Sequence, residues 1–181
     1  GLCDLVTSTR WWPRSKLKIG RAYLYYGGDP MDGICDAVFT GENSFDEFGS
    51  GLEVGDVDND GHADILIGAR RYNDSMGRVY LYWGKSRANM SDRADLIFEG
   101  EDKQTAFGGD DIEVGDINND GYREIAVAAY GYPDYVGNGR VASPRLRTSA
   151  RSAAWRPWPT RGPERSERAE RVFLIPAPEP V

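Results

Sequence analysis

An ordered internal repeat, short β-branched and aromatic runs between Gly, Asp and Asn clusters, and no sustained helical periodicity over residues 20–139 predict an all-β chain. Each repeat unit has room for four short antiparallel strands, the make-up of one β-propeller blade. A sandwich of short strands is the alternative, and it does not require a repeat.

The repeat has three parts in a fixed order. Gly20-Arg-Ala-Tyr-Leu-Tyr-Tyr-Gly27 returns as Gly77-Arg-Val-Tyr-Leu-Tyr-Trp-Gly84, and Gly139-Arg140-Val141 begins a third copy. Asp36-Ala-Val-Phe-Thr-Gly-Glu-Asn43 returns 59 residues later as Asp95-Leu-Ile-Phe-Glu-Gly-Glu-Asp102. Phe48-Gly49 followed by Glu53-Val54-Gly55-Asp56 returns as Phe107-Gly108 followed by Glu113-Val114-Gly115-Asp116. Within one unit the strands are expected at Leu52–Val57, Asp64–Arg70, Arg78–Trp83 and Ala94–Gly100. About two blades fit between residues 20 and 141, an incomplete ring, so further repeats of the same chain are the expected neighbours. The aromatic stripe of Tyr80, Tyr82 and Trp83 is expected to pack between sheets rather than to stack on sugars or bases.

Two acidic loops join strands one and two of successive units. The first is Asp56-Val57-Asp58-Asn59-Asp60-Gly61-His62-Ala63-Asp64. Carboxylates at its first, third, fifth and ninth positions can converge on one cation if the chain curls tightly, and Gly61 permits the necessary backbone dihedral. The same turn brings the backbone carbonyl of His62 towards the centre. Hard oxygen ligands in this number suit Ca²⁺, whereas Mg²⁺ requires a stricter octahedron. The second loop offers Asp116, Asn118, Asp120, the Tyr122 carbonyl and Glu124 in the same places. An EF-hand is excluded, since the position of its bidentate Glu holds Ile67 in one copy and Val127 in the other. A plain Asx-rich turn would crowd four like charges into nine residues without a cation.

Phe48-Gly49, Gly55-Asp56, the first acidic loop and Gly68-Ala69 together resemble the FG-GAP repeat of integrin alpha-subunit β-propellers. Similar repeats occur in glycosylphosphatidylinositol-specific phospholipase D and in bacterial secreted proteins. The resemblance covers about residues 20–141. It implies a calcium-stabilised propeller, usually of seven blades, displayed outside the cell for adhesion or ligand binding. The chain departs from the pattern in three places: Arg70 replaces a Pro, the second copy reads Ala128-Ala129-Tyr130, and Glu124 replaces an Asp.

The 181 residues divide by charge. Residues 1–139 carry 13 Lys and Arg against 25 Asp and Glu, whereas residues 140–181 carry nine Arg and four Glu. An acidic body repels nucleic acid, and no apolar run approaches the ~18 residues of a membrane span, so neither partner is expected. Residues 142–181 are rich in Arg, Pro and Ala and read as a disordered or out-of-frame tail, and residues 1–19 as an irregular segment. The chain starts at Gly1 with no Met and no signal-peptide pattern and reads as a fragment. Cys3 and Cys35 can pair in a secreted protein or remain two thiols.

Two functions are open. One is a calcium-binding propeller portion of an extracellular adhesion or ligand-binding protein that meets a protein or glycan. The alternative is the non-catalytic propeller of a secreted hydrolase such as a phospholipase D-like enzyme. These residues are not expected to be an enzyme themselves, because their carboxylates serve as ligands and no nucleophile–base pair is legible. Strand order puts the connections Arg70–Gly77 and Glu101–Ala106 on the face opposite the acidic loops, where a partner is expected. Asn73-Asp74-Ser75 and Asn89-Met90-Ser91 are glycosylation sequons in a secreted eukaryotic chain.

Overall fold

The computed structural model describes residues 4–13, 17–28, 33–85, 90–117, 119, 121, 123–129 and 131, and the backbone of 140–144, 155–157 and 174–176. The described strands form three antiparallel sheets that do not close a ring. The first sheet contains β1 (Leu5–Thr9), β2 (Arg21–Tyr25) and β3 (Ala37–Thr40) in that order. The second is a complete four-stranded blade of β4 (Phe48–Gly55), β5 (Asp64–Ala69), β6 (Arg78–Tyr82) and β7 (Leu96–Glu99). In the third, β9 (Glu124–Ala129) pairs with β8 (Ile112–Gly115) and β10 (Arg140–Pro144). Two three-residue strands, β11 (Trp155–Pro157) and β12 (Leu174–Pro176), add to β10 and β9. All pairings between strands are antiparallel, as expected for propeller blades.

The four expected strands of the middle unit are present. Its first strand starts earlier than expected, because Phe48 already pairs with Ala69 and the register shifts between Phe48 and Leu52. That shift is a bulge at a glycine-rich stretch, where pairing is interrupted and resumed. The described strands make one complete blade with three strands of a unit before it and three of a unit after it.

The largest difference lies at the start. Residues 5–9, expected to be irregular, form β1, with Leu5 opposite Tyr25 and Thr9 opposite Arg21. Leu5 is exposed and its threonines are small, so the segment lacks the apolar run that marks β5. Pairing to β2 and the packing of Val6 on the core make it a strand. Between β5 and β6 the chain makes a left-handed turn: Asn73 and Asp74 have φ of 47° and 57° and Ser75 has 62°. Residues 142–144 continue β10, and most of the expected basic tail lies outside the described residues.

The central blade is buried on both faces, so every residue of β5 and β6 is buried. Side chains alternate across a strand, and two separate cores result. Ile65, Ile67, Ala69, Tyr80 and Tyr82 pack with Phe48 on Ala22, Leu24 and Phe39 of the first sheet. Leu66, Val79 and Leu81 pack with Phe98 and Phe107 on Ile112, Ile125 and Val127 of the third. The Phe39 and Tyr82 rings lie 4.5 Å apart and those of Phe48 and Tyr80 5.2 Å apart, within the range of favourable aromatic pairs. The stripe is core, with Trp83 partly buried against the second cluster.

Sheets meet through one recurring backbone contact. A Cβ added to Gly20 would sit 1.9 Å from the Phe48 carbonyl oxygen, and one added to Gly77 2.1 Å from that of Phe107. The Phe48 N–H donates to Ile19 (3.2 Å) and the Phe107 N–H to Met76 (3.3 Å), each the residue before that glycine. Gly77 (φ +83°) therefore combines a left-handed backbone with a collision, whereas Gly61 (φ +90°) has open space around it. Gly77→Ala should cost more than about 2 kcal/mol and Gly61→Ala only about 1 kcal/mol, as read from denaturant midpoints. Equal losses would show that the contact does not hold the sheets together.

Candidate metal site

The first acidic loop leaves β4 at Gly55 and enters β5 at Asp64, so both of its ends are fixed by the central blade. Gly55 pairs with Asp64 at the mouth of the loop. Inside it, Asn59 (φ 60°) and Gly61 (φ +90°) adopt left-handed conformations that curl the chain. Asn tolerates this region better than most residues, and Gly is indifferent to it.

The curl gathers three of the expected ligands. One carboxylate oxygen each from Asp56, Asp58 and Asp64 lies within 4.8 Å of the other two. Asp60 stands outside the trio and is exposed, and its Oδ1 accepts the His62 N–H at 2.8 Å, a local side-chain-to-backbone bond. Backbone donors hold the trio in place. Asp56 accepts from Asp60 and Gly61 N–H, both at 3.0 Å, and Asp58 accepts from Asp60 N–H at 3.2 Å. Asp64 is buried and accepts on both oxygens, from Val57 N–H and Gly84 N–H at 2.7 Å each. Each carboxylate oxygen has two acceptor sites, so a backbone bond leaves one for a cation.

This arrangement is electrostatically tense. Burial pushes the Asp64 carboxyl up to about 6, and the nearby Asp58 and Asp60 charges push the same way against its two backbone bonds. Asp58 is raised as well, first by burial and then by the Asp60 charge. Three convergent carboxylates of like charge, one of them desolvated, favour either a proton or a cation. The oxygen-only donor set fits a hard divalent ion.

The second loop repeats the scaffold bonds. Gly121 N–H donates to Asp116 at 2.9 Å, as Gly61 does to Asp56, and Ile117 N–H donates to Glu124 at 2.8 Å, as Val57 does to Asp64. Glu124 is buried like Asp64. Asn118, Asp120 and Tyr122 lie outside the described residues. Asn59 of the first loop donates from its side chain to the Gly121 carbonyl of the second at 3.1 Å, which links the two loops directly.

Sequence reasoning missed Gly84 and Asp4. Gly27 N–H donates to Asp4 at 2.7 Å as Gly84 N–H donates to Asp64, so Asp4 occupies the ninth loop position ahead of β1. The signal was present, since Gly27 and Gly84 are matched in the repeat. The two expected connections do meet on the opposite face: Gln104 N–H donates to Asp74 and Ala106 N–H to Ser75, at 3.1 and 2.7 Å. Cys35 forms no disulfide among the described residues, and Cys3 lies outside them. No helix among the described residues is long and apolar enough to cross a membrane.

Residues 56–127 match the FG-GAP-like repeat. The chain is similar to integrin alpha-3 of Mus musculus, 32% identical over 130 residues, which is 70% of this chain and 12% of that protein. It is 34% identical to integrin alpha-IIb of Homo sapiens over 134 residues, 66% of this chain and 13% of that one. Integrin alpha-8 of Gallus gallus is 38% identical over 99 residues, half of this chain and 9% of its own length. The chain thus spans about a tenth of the relatives it matches. Repeat match and sheet topology agree on integrin-alpha-like β-propeller blades.

The raised Asp64 sets a pH dependence. A carboxyl with a folded-state value near 6 against an ordinary 3.8 binds its proton more tightly when folded, so in chelator its contribution to stability falls as pH rises from about 4 to about 6. A divalent cation requires the ionised form, so the stabilisation it gives should grow through the same window. Melting temperatures from pH 4 to 7, with and without millimolar calcium, check this. A cation effect that does not change with pH would remove Asp64 from the site.

Proposed function

We propose that the chain is a calcium-binding portion of an extracellular or cell-surface β-propeller that serves adhesion or ligand binding and has no catalytic role of its own. The observation that carries this reading is the convergence of Asp56, Asp58 and Asp64 in an FG-GAP-like repeat. Those three residues, joined by Asp60 after a side-chain rotation and by the His62 carbonyl, would hold Ca²⁺ in the first loop. Asp116, Asn118, Asp120, the Tyr122 carbonyl and Glu124 would hold it in the second. Bound calcium would neutralise the crowded carboxylates and fix the connection between the first and second strands of each blade. Its contribution is structural, and the ligand surface is the face of the Arg70–Gly77 and Glu101–Ala106 connections. In this reading the propeller portion takes in β1 as well as residues 20–141.

The face suits recognition because it is rigid and charged. Glu47 is buried and paired with Arg70 (2.8 Å) and Arg71 (3.0 Å), and Asp110 lies 3.5 Å from Arg10 and 3.7 Å from Arg70. Arg71 remains exposed beside them. A protein or glycan partner would meet a preorganised rim, which lowers the ordering cost of binding. Alanine at Arg71 and Tyr72 should weaken binding of an adhesion ligand while leaving calcium uptake unchanged. Unaltered binding would move the ligand to another surface.

The two sites should be unequal. The first loop has four carboxylates and the second three plus a neutral Asn, so calorimetric titration should resolve a tighter and a weaker event near 10⁻⁴–10⁻³ M. At calcium ten to a hundred times the dissociation constant, each site adds about 1.4–2.7 kcal/mol of stability. Asp60→Ala should lower the melting temperature more in calcium than in chelator. No calcium uptake at millimolar concentration, or two equal events, would overturn the assignment.

A further inference from the structure

We propose that Asn73 is the acceptor for an asparagine-linked glycan, which places a sugar chain on the face opposite the metal loops. The inference rests on the extracellular part of the function proposed above. Asn73-Asp74-Ser75 has the acceptor amide, a middle residue other than Pro and the hydroxyl two residues on. The fold puts this triplet at the tip of the connection between β5 and β6, in the left-handed turn, with Asn73 exposed.

The turn is held by its backbone. Ser75 and Gly77 N–H donate to the Arg71 and Tyr72 carbonyls at 3.2 and 3.1 Å. The Asp74 and Ser75 carbonyls accept from Gln104 and Ala106 N–H of the next connection. The Asn73 amide reaches only the Met76 sulfur, at 3.8 Å. A sugar on that nitrogen therefore displaces no strong contact, and the glycan extends into solvent. Asp74 pairs with Lys103 at 2.6 Å beside it, so a glycan at Asn73 would cover that ion pair and restrict a partner on this face to the Arg70–Arg71 side.

The transfer balances with a lipid-linked donor, a polyprenyl diphosphate oligosaccharide. Asn73 Nδ2 forms a bond to C1 of the first N-acetylglucosamine as the C1–O bond to phosphate breaks. The lipid diphosphate leaves with the bonding electron pair, and the amide nitrogen gives up one proton. The reaction takes place on the chain before the turn has folded, and the finished fold has only to tolerate the product. A second sequon at Asn89 has its acceptor outside the described residues, so the two must be separated site by site.

The test is translation of the full chain behind a secretory leader with mammalian microsomes, reading only protease-protected, translocated chain. Peptide-N-glycosidase treatment in heavy-oxygen water then marks each formerly glycosylated Asn as a labelled Asp. Label at residue 73, lost completely in Asn73→Gln and in Ser75→Ala and retained in Asp60→Ala, is the expected result. Glycosylated chain should melt at the same temperature as unglycosylated chain of the same sequence, since the Asn73 side chain makes no strong contact. Translocated chain with residue 73 unlabelled, or labelled at Asn89 alone, overturns the proposal, as does a glycosylated form that melts well below unglycosylated chain of the same sequence. Calcium titration of the same material reports separately on the metal reading, so the two can fail independently.

Discussion

The contact between a glycine ahead of the third strand and the backbone of the next Phe-Gly pair sets the spacing of the sheets. At Gly20 and Gly77 there is no Cβ, and the backbone of Phe48 or Phe107 comes close enough that any side chain would overlap its carbonyl. Phe48 and Phe107 fill the space behind, both fully buried, one in each inter-sheet core. The two halves depend on each other: without the glycine the phenylalanine could not enter, and without its buried ring the close approach would enclose a void. Gly68 extends the same close packing, since its missing Cβ leaves room for the Gly108 carbonyl.

From that joint the placement of the acidic loops follows. Sheets held at fixed spacing bring successive first-to-second-strand connections side by side, near enough for Asn59 to bond Gly121. The loop carboxylates are oriented by groups that belong to the blade. Asp64 is gripped by N–H donors from the start of its own loop and from Gly84, beyond the end of β6. A buried carboxylate with two backbone donors is rigid, and rigidity together with charge count governs how tightly such a loop holds a hard cation.

The opposite face is organised by arginines instead. Arg78 stacks over Tyr72 at 3.5 Å and pairs with Glu42 and Glu99, while Arg21 stacks over Trp12 at 3.2 Å. These are the same repeat position in successive sheets, so Trp12 corresponds to Tyr72 although neither the spacing nor the residue type is conserved between the units. Cation–aromatic stacking of a partly desolvated guanidinium is worth more than an exposed pair, which gives the face stiffness without apolar burial.

The sequence by itself determined the all-β class, the four strands of the central unit, the two acidic loops and the packing role of Tyr80 and Tyr82. Each of these is encoded locally, by alternation, by turn residues or by the spacing of acidic residues, and repetition of the pattern supports it. Only the tertiary structure decided that residues 5–9 are a strand, that Phe48 begins β4, that Asp4 matches Asp64 and that Asp56, Asp58 and Asp64 converge while Asp60 turns to His62. These features depend on partners far along the chain. β1 is a strand because β2 pairs with it and a core receives Val6, and a weakly patterned segment takes its conformation from such neighbours rather than from its own residues.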